Sequence, residues 1–159
     1  VALLTPEQCR AQCRVSGDYD DAILADKLVS AEDAVAAHLN RNLYNDQNAL
    51  DAAVAGLTAA AAQAQDAYDE AVADAASLAS DAAREMALQV AEKRLADFRL
   101  NAQRTLNGIV ANGSILAAVR LTLGHLYANR ESVATGVTVA ELPLGVADLL
   151  RPYRLVMMP

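Results

Sequence analysis

The chain has 159 residues, of which 54% are apolar but only 4% aromatic, with a formal net charge of −7. That charge works against tight binding to a phosphate backbone, which calls for clustered Lys and Arg, and no run of about 20 uncharged apolar residues is present to span a membrane. The length suits one domain, but alanine supplies much of the apolar fraction, so each buried position removes little area from water. A core this thin favours an oligomer that completes its burial between subunits.

The N-terminus runs directly into a helix start rather than a secretory signal, so synthesis in the cytoplasm is expected. Thr5 is placed as N-cap, Pro6 at the first helical position and Gln8 to complete a capping box, and the helix should end near Arg14 or Val15. Cys9 and Cys13 share one face of it. Their spacing is poor for a disulfide, and no second Cys or His pair completes a zinc site, so they read as small core residues and no metal is expected. Ser16 and Gly17 turn the chain. Asp18, Asp20 and Asp21 then supply the negative charge that a helix N-terminus favours; the length, central Gly and closing Glu of a calcium loop are missing.

From about Asp20 to Leu43 the apolar stripe Leu24, Leu28, Ala31, Val35 and Leu39 predicts a second helix, with Lys27, Glu32, Asp33 and Arg41 off that line and His38 at its edge. Asn40, Asn42, Asn45 and Asn48 mark a break, because short amides compete for backbone hydrogen bonds. The Ala-rich stretch 46–107 follows. Leu50, Val54, Leu57, Ala61, Ala64, Tyr68, Val72, Ala75, Ala79, Ala82, Met86 and Val90 step by fours and threes, which predicts a narrow helix-to-helix seam. One helix of that length would extend roughly 90 Å, so an antiparallel hairpin is expected, turning near Ser77 to Asp81 with Ser80 or Asp81 capping the return. Asp51, Asp66, Asp69, Glu70, Asp74 and Asp81 would then lie opposite Arg84, Lys93, Arg94, Arg99 and Arg104.

The stretch from Ile109 to Glu131 is the most apolar on the most sides. Ser114 reads as the N-cap of a helix whose core arc is Ile115, Leu116, Val119, Leu123, Leu126 and Tyr127. The opposite arc carries Ala117, Leu121, Gly124 and Ala128, where a surface helix would place charges. Gly124 costs roughly 1 kcal/mol against Ala in a helix interior, a loss acceptable where another backbone comes close, whether from the same chain or a second subunit. His125, like His38, reads as a boundary residue. Val137 to Leu142 alternates as a short strand, Pro143 to Leu150 as a brief helix stopped before Pro152, and the apolar tail Tyr153 to Pro159 should dock on its own chain or on a neighbour.

The run GHLYANRE at Gly124 to Glu131, followed by ELPLGVADLLRPYR at Glu141 to Arg154, resembles the C-terminal signature of the head-tail connector (head-completion or adaptor) proteins of long-tailed phages. The opening Leu-Thr-x-x-x-Cys helix, the acidic turn and the second amphipathic helix are similar to the first half of that family. The resemblance covers about 1–44 and 109–155 and leaves out the Ala-rich middle. Taken with the periodicities, the expectation is an all-α fold: one adaptor domain over 1–159, a small helical bundle with 46–107 as an inserted helical hairpin, and a short extended or strand region near the C-terminus.

What the resemblance implies is a structural virion protein of the neck, assembled in the host cytoplasm. Its copies would form a ring, twelvefold by that likeness, below the portal protein and above a neck, stopper or tail-completion protein, with DNA passing through the channel unbound. The residues placed at subunit or portal interfaces are Leu121, Gly124, Tyr127, Ala128, Arg130, Glu131, Arg151, Tyr153, Arg154, Leu155, Val156, Met157 and Met158. No Gly-rich phosphate loop, nucleophile elbow or His-Glu-x-x-His run is present, and a single Phe with no Trp offers little for stacking bases. Glu131 beside Arg130, with Tyr127 one turn away, is the only polar cluster near the apolar helix. A catalytic acid with an orienting Arg is conceivable there, but salt bridges across a subunit boundary fit a ring better, so neither catalysis nor a cofactor is expected. The alternative from another class is a stand-alone Ala-rich coiled-coil scaffold, and an enzyme ranks third.

Overall fold

A computed structural model describes residues 2–129 and 144–156. The fold is all-α: six helices and one two-residue parallel strand pair among the described residues. The chain forms two compact units, Val1–Gln47 with Ile109–Pro159, and Asn48–Gly108.

In the first unit, helix α1 (Pro6–Cys13) starts as its sequence dictates: the Thr5 hydroxyl accepts from the Gln8 N–H while the Gln8 side chain accepts from the Thr5 N–H. It stops at Arg14, which adopts a left-handed φ of 55°. Helix α2 (Asp21–Leu39) buries all five residues of its stripe, Leu24, Leu28, Ala31, Val35 and Leu39. The break comes at Asn40 rather than Leu43, because Asn40 turns left-handed (φ 56°) and directs its N–H back to the carbonyls of Ala36 and Ala37. No side-chain cap bond forms at Asp20, against the expectation that the acidic turn caps α2.

Leu43 and Tyr44 form strand β1, which pairs in parallel with β2 (Ile109–Val110), Leu43 beside Ile109 and Tyr44 beside Val110. The Ile109 N–H donates to the Asn42 carbonyl at 3.0 Å and the Ala111 N–H to that of Tyr44 at 2.8 Å, so this ladder joins the two chain segments of the first unit. Helix α5 (Gly113–Ala128) follows, after α3 (Gln47–Ala76) and α4 (Asp81–Leu106), and its N-cap is Asn112, not Ser114. The chain leaves β2 extended through Asn112 (ψ 178°), and the Asn112 carboxamide oxygen accepts from the N–H groups of Ser114 and Ile115, each at 3.1 Å. Ile115, Ala118, Val119 and Leu123 of α5 pack with the α2 stripe, with Leu4 and Cys9, and with Val146 and Leu150 of α6 (Leu144–Leu150) as one core. The α-helix ends before Pro152 as expected, but the turn continues as a 3-10 helix, Arg151–Tyr153. Pro152 fits there because a first-turn residue needs no N–H donor. The strand anticipated at 137–142 lies outside the described residues.

The second unit is the Ala-rich segment. Helices α3 (Gln47–Ala76) and α4 (Asp81–Leu106) are joined by a turn in which the Ser77 N–H and hydroxyl both donate to the Asp74 carbonyl. Ser80 caps α4, its hydroxyl accepting from the Ala83 N–H. Ala75 and Ala91 are the buried seam residues. The stripe expected on the returning arm is out of phase: Ala82, Met86 and Val90 are exposed, and so are Ala61 and Ala79, whereas Ala87, Leu88, Ala91, Leu95 and Phe98 face inward. A turn resets the rotation of the next helix, so a periodicity carried through it lands on the wrong face. Arg84 pairs with Asp81 at 2.9 Å and Lys93 with Asp97, both along α4 rather than with the opposite arm. No helix among the described residues is long and apolar enough to cross a membrane.

Candidate functional site

The outward arc of α5 is partly open. Leu121 is 47% exposed and Ala128 is exposed, while Ala117 is half-buried. Gly124 faces its own first helix: a Cβ built there would meet the Gln12 side-chain amide at 3.5 Å, ordinary van der Waals contact. Tyr127 turns inward instead, its hydroxyl donating to the Asp20 carboxylate at 2.5 Å. That bond spans 107 positions in sequence, which hides it from any local reading. It also explains why Asp20 serves the end of α5 and leaves α2 uncapped by a side chain.

The C-terminal segment docks on its own chain. Tyr153 is half-buried against the core, and its carbonyl accepts from Arg41 at 3.4 Å. The Leu155 N–H donates to the Leu39 carbonyl at 3.1 Å while the Asn40 side-chain amide donates to the Leu155 carbonyl at 2.9 Å. Leu155 thereby satisfies one of the carbonyls that α2 leaves open at its C-terminus. Beyond it Val156 is 82% exposed. Arg154 is exposed and Arg151 pairs loosely with Asp148 at 3.5 Å. Burial, reinforced by the Arg154 charge, pushes the His38 imidazole below its ordinary pKa. Of the residues expected at interfaces, then, Leu121, Ala128, Arg151, Arg154 and Val156 stand open, whereas Gly124, Tyr127, Tyr153 and Leu155 engage their own chain. Arg130, Glu131, Met157 and Met158 lie outside the described residues.

Two polar features were not anticipated. Glu32, off the α2 stripe, accepts from the Leu3 N–H at 2.6 Å and so holds the N-terminal segment, which Asn45 also holds through the Ala2 carbonyl at 3.1 Å. Burial raises the Glu32 carboxyl pKa, with the Leu3 hydrogen bond acting in the opposite sense. Cys9 is buried and Cys13 half-buried, and burial raises both thiols, which makes them poor nucleophiles at neutral pH. Among the described residues no three His, Cys, Asp or Glu side chains converge as a metal site would require. The open end of α5 and the exposed C-terminal residues Arg151, Arg154 and Val156 present surface available for contact. Comparison with protein-family models, with curated proteins and with solved structures finds no match to this chain.

Proposed function

We propose that the chain is a structural subunit of a phage head-tail connector, assembling as a ring against the portal. The observation that carries the reading is a coincidence of boundaries. The connector-like motifs occupy about 1–44 and 109–155, and the first compact unit occupies Val1–Gln47 and Ile109–Pro159. A resemblance confined to one folding unit, and interrupted where a second unit begins, is what an inserted hairpin in an adaptor would leave. The exposures are consistent with a subunit contact: Leu121 on α5 and Val156 at the C-terminus are open apolar side chains, and Arg151 and Arg154 are exposed charges. A net charge of −7 suits a channel through which DNA slides without sticking.

Native mass spectrometry of the full chain, alone and mixed with the portal protein of the same phage, tests this. A cyclic oligomer, alone or on the portal, supports the connector. A chain that neither forms a ring nor binds the portal overturns it, and a stable dimer of that kind would favour the coiled-coil scaffold.

A further inference from the structure

Four core residues of the first unit, Leu4, Cys9, Leu24 and Leu28, are each no more than 4% exposed, yet they share the wall of a cavity of about 110 Å³. Ala2, Pro6 and Ala25 also line it. The cavity persists because the N-terminal segment on one side of it is tied in place and cannot settle inward. Glu32 accepts from the Leu3 N–H at 2.6 Å, Asn45 donates to the Ala2 carbonyl at 3.1 Å, and the Thr5–Gln8 capping box fixes the turn that follows. Asp21 is the charged side chain in the lining. Its Oδ1 is buried and accepts no hydrogen bond, and the Arg10 Nε paired with it stands off at 3.6 Å.

We infer that the cavity is a binding site for a small neutral alcohol, its alkyl chain against the core residues and its hydroxyl donating to Asp21 Oδ1. Each half of that ligand answers one property of the lining. An apolar cavity of about 150 Å³ takes up benzene, so about 110 Å³ suits a chain of about four carbons. A hydrocarbon of that size would fill the space but leave the Asp21 oxygen without a donor, and a buried acceptor left unpaired is where hydrogen bonding discriminates most. The donor is neutral because the Arg10 guanidinium already stands beside the carboxylate, and an ammonium would give up its hydration to meet a like charge. Water satisfies the oxygen but gains nothing from the apolar wall.

The site needs no second copy and stands apart from the connector reading. Its test is an NMR titration of the backbone amides of the full chain with n-butanol, and with diethyl ether as a probe of equal carbon number that lacks a donor. Butanol should shift the amides of Cys9, Leu24, Ala25 and Leu28 saturably and leave those of the second unit unmoved. Ether should bind about tenfold more weakly, the loss of one hydrogen bond to a buried charged acceptor. Ala25→Leu, at an exposed position in the lining, fills the opening and should abolish the saturable shifts while the rest of the spectrum stays native. Shifts that never saturate and spread over the chain, ether binding as tightly as butanol, or undiminished binding by A25L would each overturn the site. So would a native chain that holds a long-lived water at Asp21 and takes up no butanol. None of these outcomes touches portal binding, so the two readings fail separately.

Discussion

The two units bury helices against helices with different materials. In the first, Leu, Val and Ile predominate in the core of α2 and α5 beside Ala31 and Ala118, with Leu24, Val35, Leu39, Ile115, Val119 and Leu123 at 2% exposure or less. In the second, two helices of 30 and 26 residues bury only Ala75, Ala91 and Thr105 among the described residues and leave Met86, Val90, Leu100 and Leu106 outside. Burying a Leu or Ile side chain is worth about 1.5–3 kcal/mol, and a methyl far less. The first unit is therefore specified by side-chain volume. The second combines the high helix propensity of alanine with a seam in which Ala75 and Ala91 are buried and larger side chains such as Tyr68, Leu88, Leu95 and Phe98 are only half-buried.

That contrast predicts opposite responses to changes of volume. Leu123→Ala empties a fully buried site on α5 and should cost about 2–5 kcal/mol, read as lost amide protection across α2, α5 and α6 in hydrogen exchange. Protection retained there would mean that the core tolerates collapse. In the second unit the damaging change is the reverse. Ala91→Leu pushes a side chain into a seam where Ala91 is 3% exposed, and overpacking of this kind costs about 1–3 kcal/mol. Stabilisation instead would show that α3 and α4 leave room between them.

Caps sharpen the comparison at a smaller scale. Asn112→Ala removes an oxygen that accepts from two N–H groups at 3.1 Å, and should cost about 1 kcal/mol. Ser80→Ala removes a single long bond of 3.4 Å on an exposed turn and should cost about 0.5 kcal/mol, the low end for a cap. Urea midpoints compared at constant m-value separate the two. Equal losses would mean that cap geometry matters less than cap identity.

What could be read in advance follows the same division between local and distant causes. The Thr5–Gln8 capping box, the α2 stripe and the turn between Ser77 and Asp81 were legible, because each is decided by residues within a few positions of one another. The phase of α4 was not, since Ser77 to Ser80 set its rotation anew. The β1–β2 ladder was missed because a two-residue strand carries no periodicity, and the whole Ala-rich segment separates its halves. At the candidate surface, the openness of Leu121 followed from its place on the helical wheel. That Gly124 looks at Gln12, that Tyr127 reaches Asp20 and that Leu155 completes the end of α2 depends on tertiary placement, for which the sequence offers only apolar or polar character.

Glu32 carries the smallest and most discriminating of the expected effects. Its carboxyl pKa is raised, chiefly by burial, while the hydrogen bond from Leu3 at 2.6 Å works against that rise. A carboxyl with a raised pKa in the fold holds its proton more readily there than in the unfolded chain. Its contribution is therefore fully present below the ordinary value of about 4.3, and is lost as pH rises through the raised value. Glu32→Gln keeps a carbonyl acceptor for the Leu3 N–H and removes the buried charge. Relative to the native chain, the variant should gain stability between pH 4 and pH 7, with the change confined to amides of the first unit. A variant that instead loses ground as pH rises would mean that the charged hydrogen bond to Leu3 outweighs burial. The N-terminal segment would then be held by electrostatics in a unit whose other contacts are set by volume.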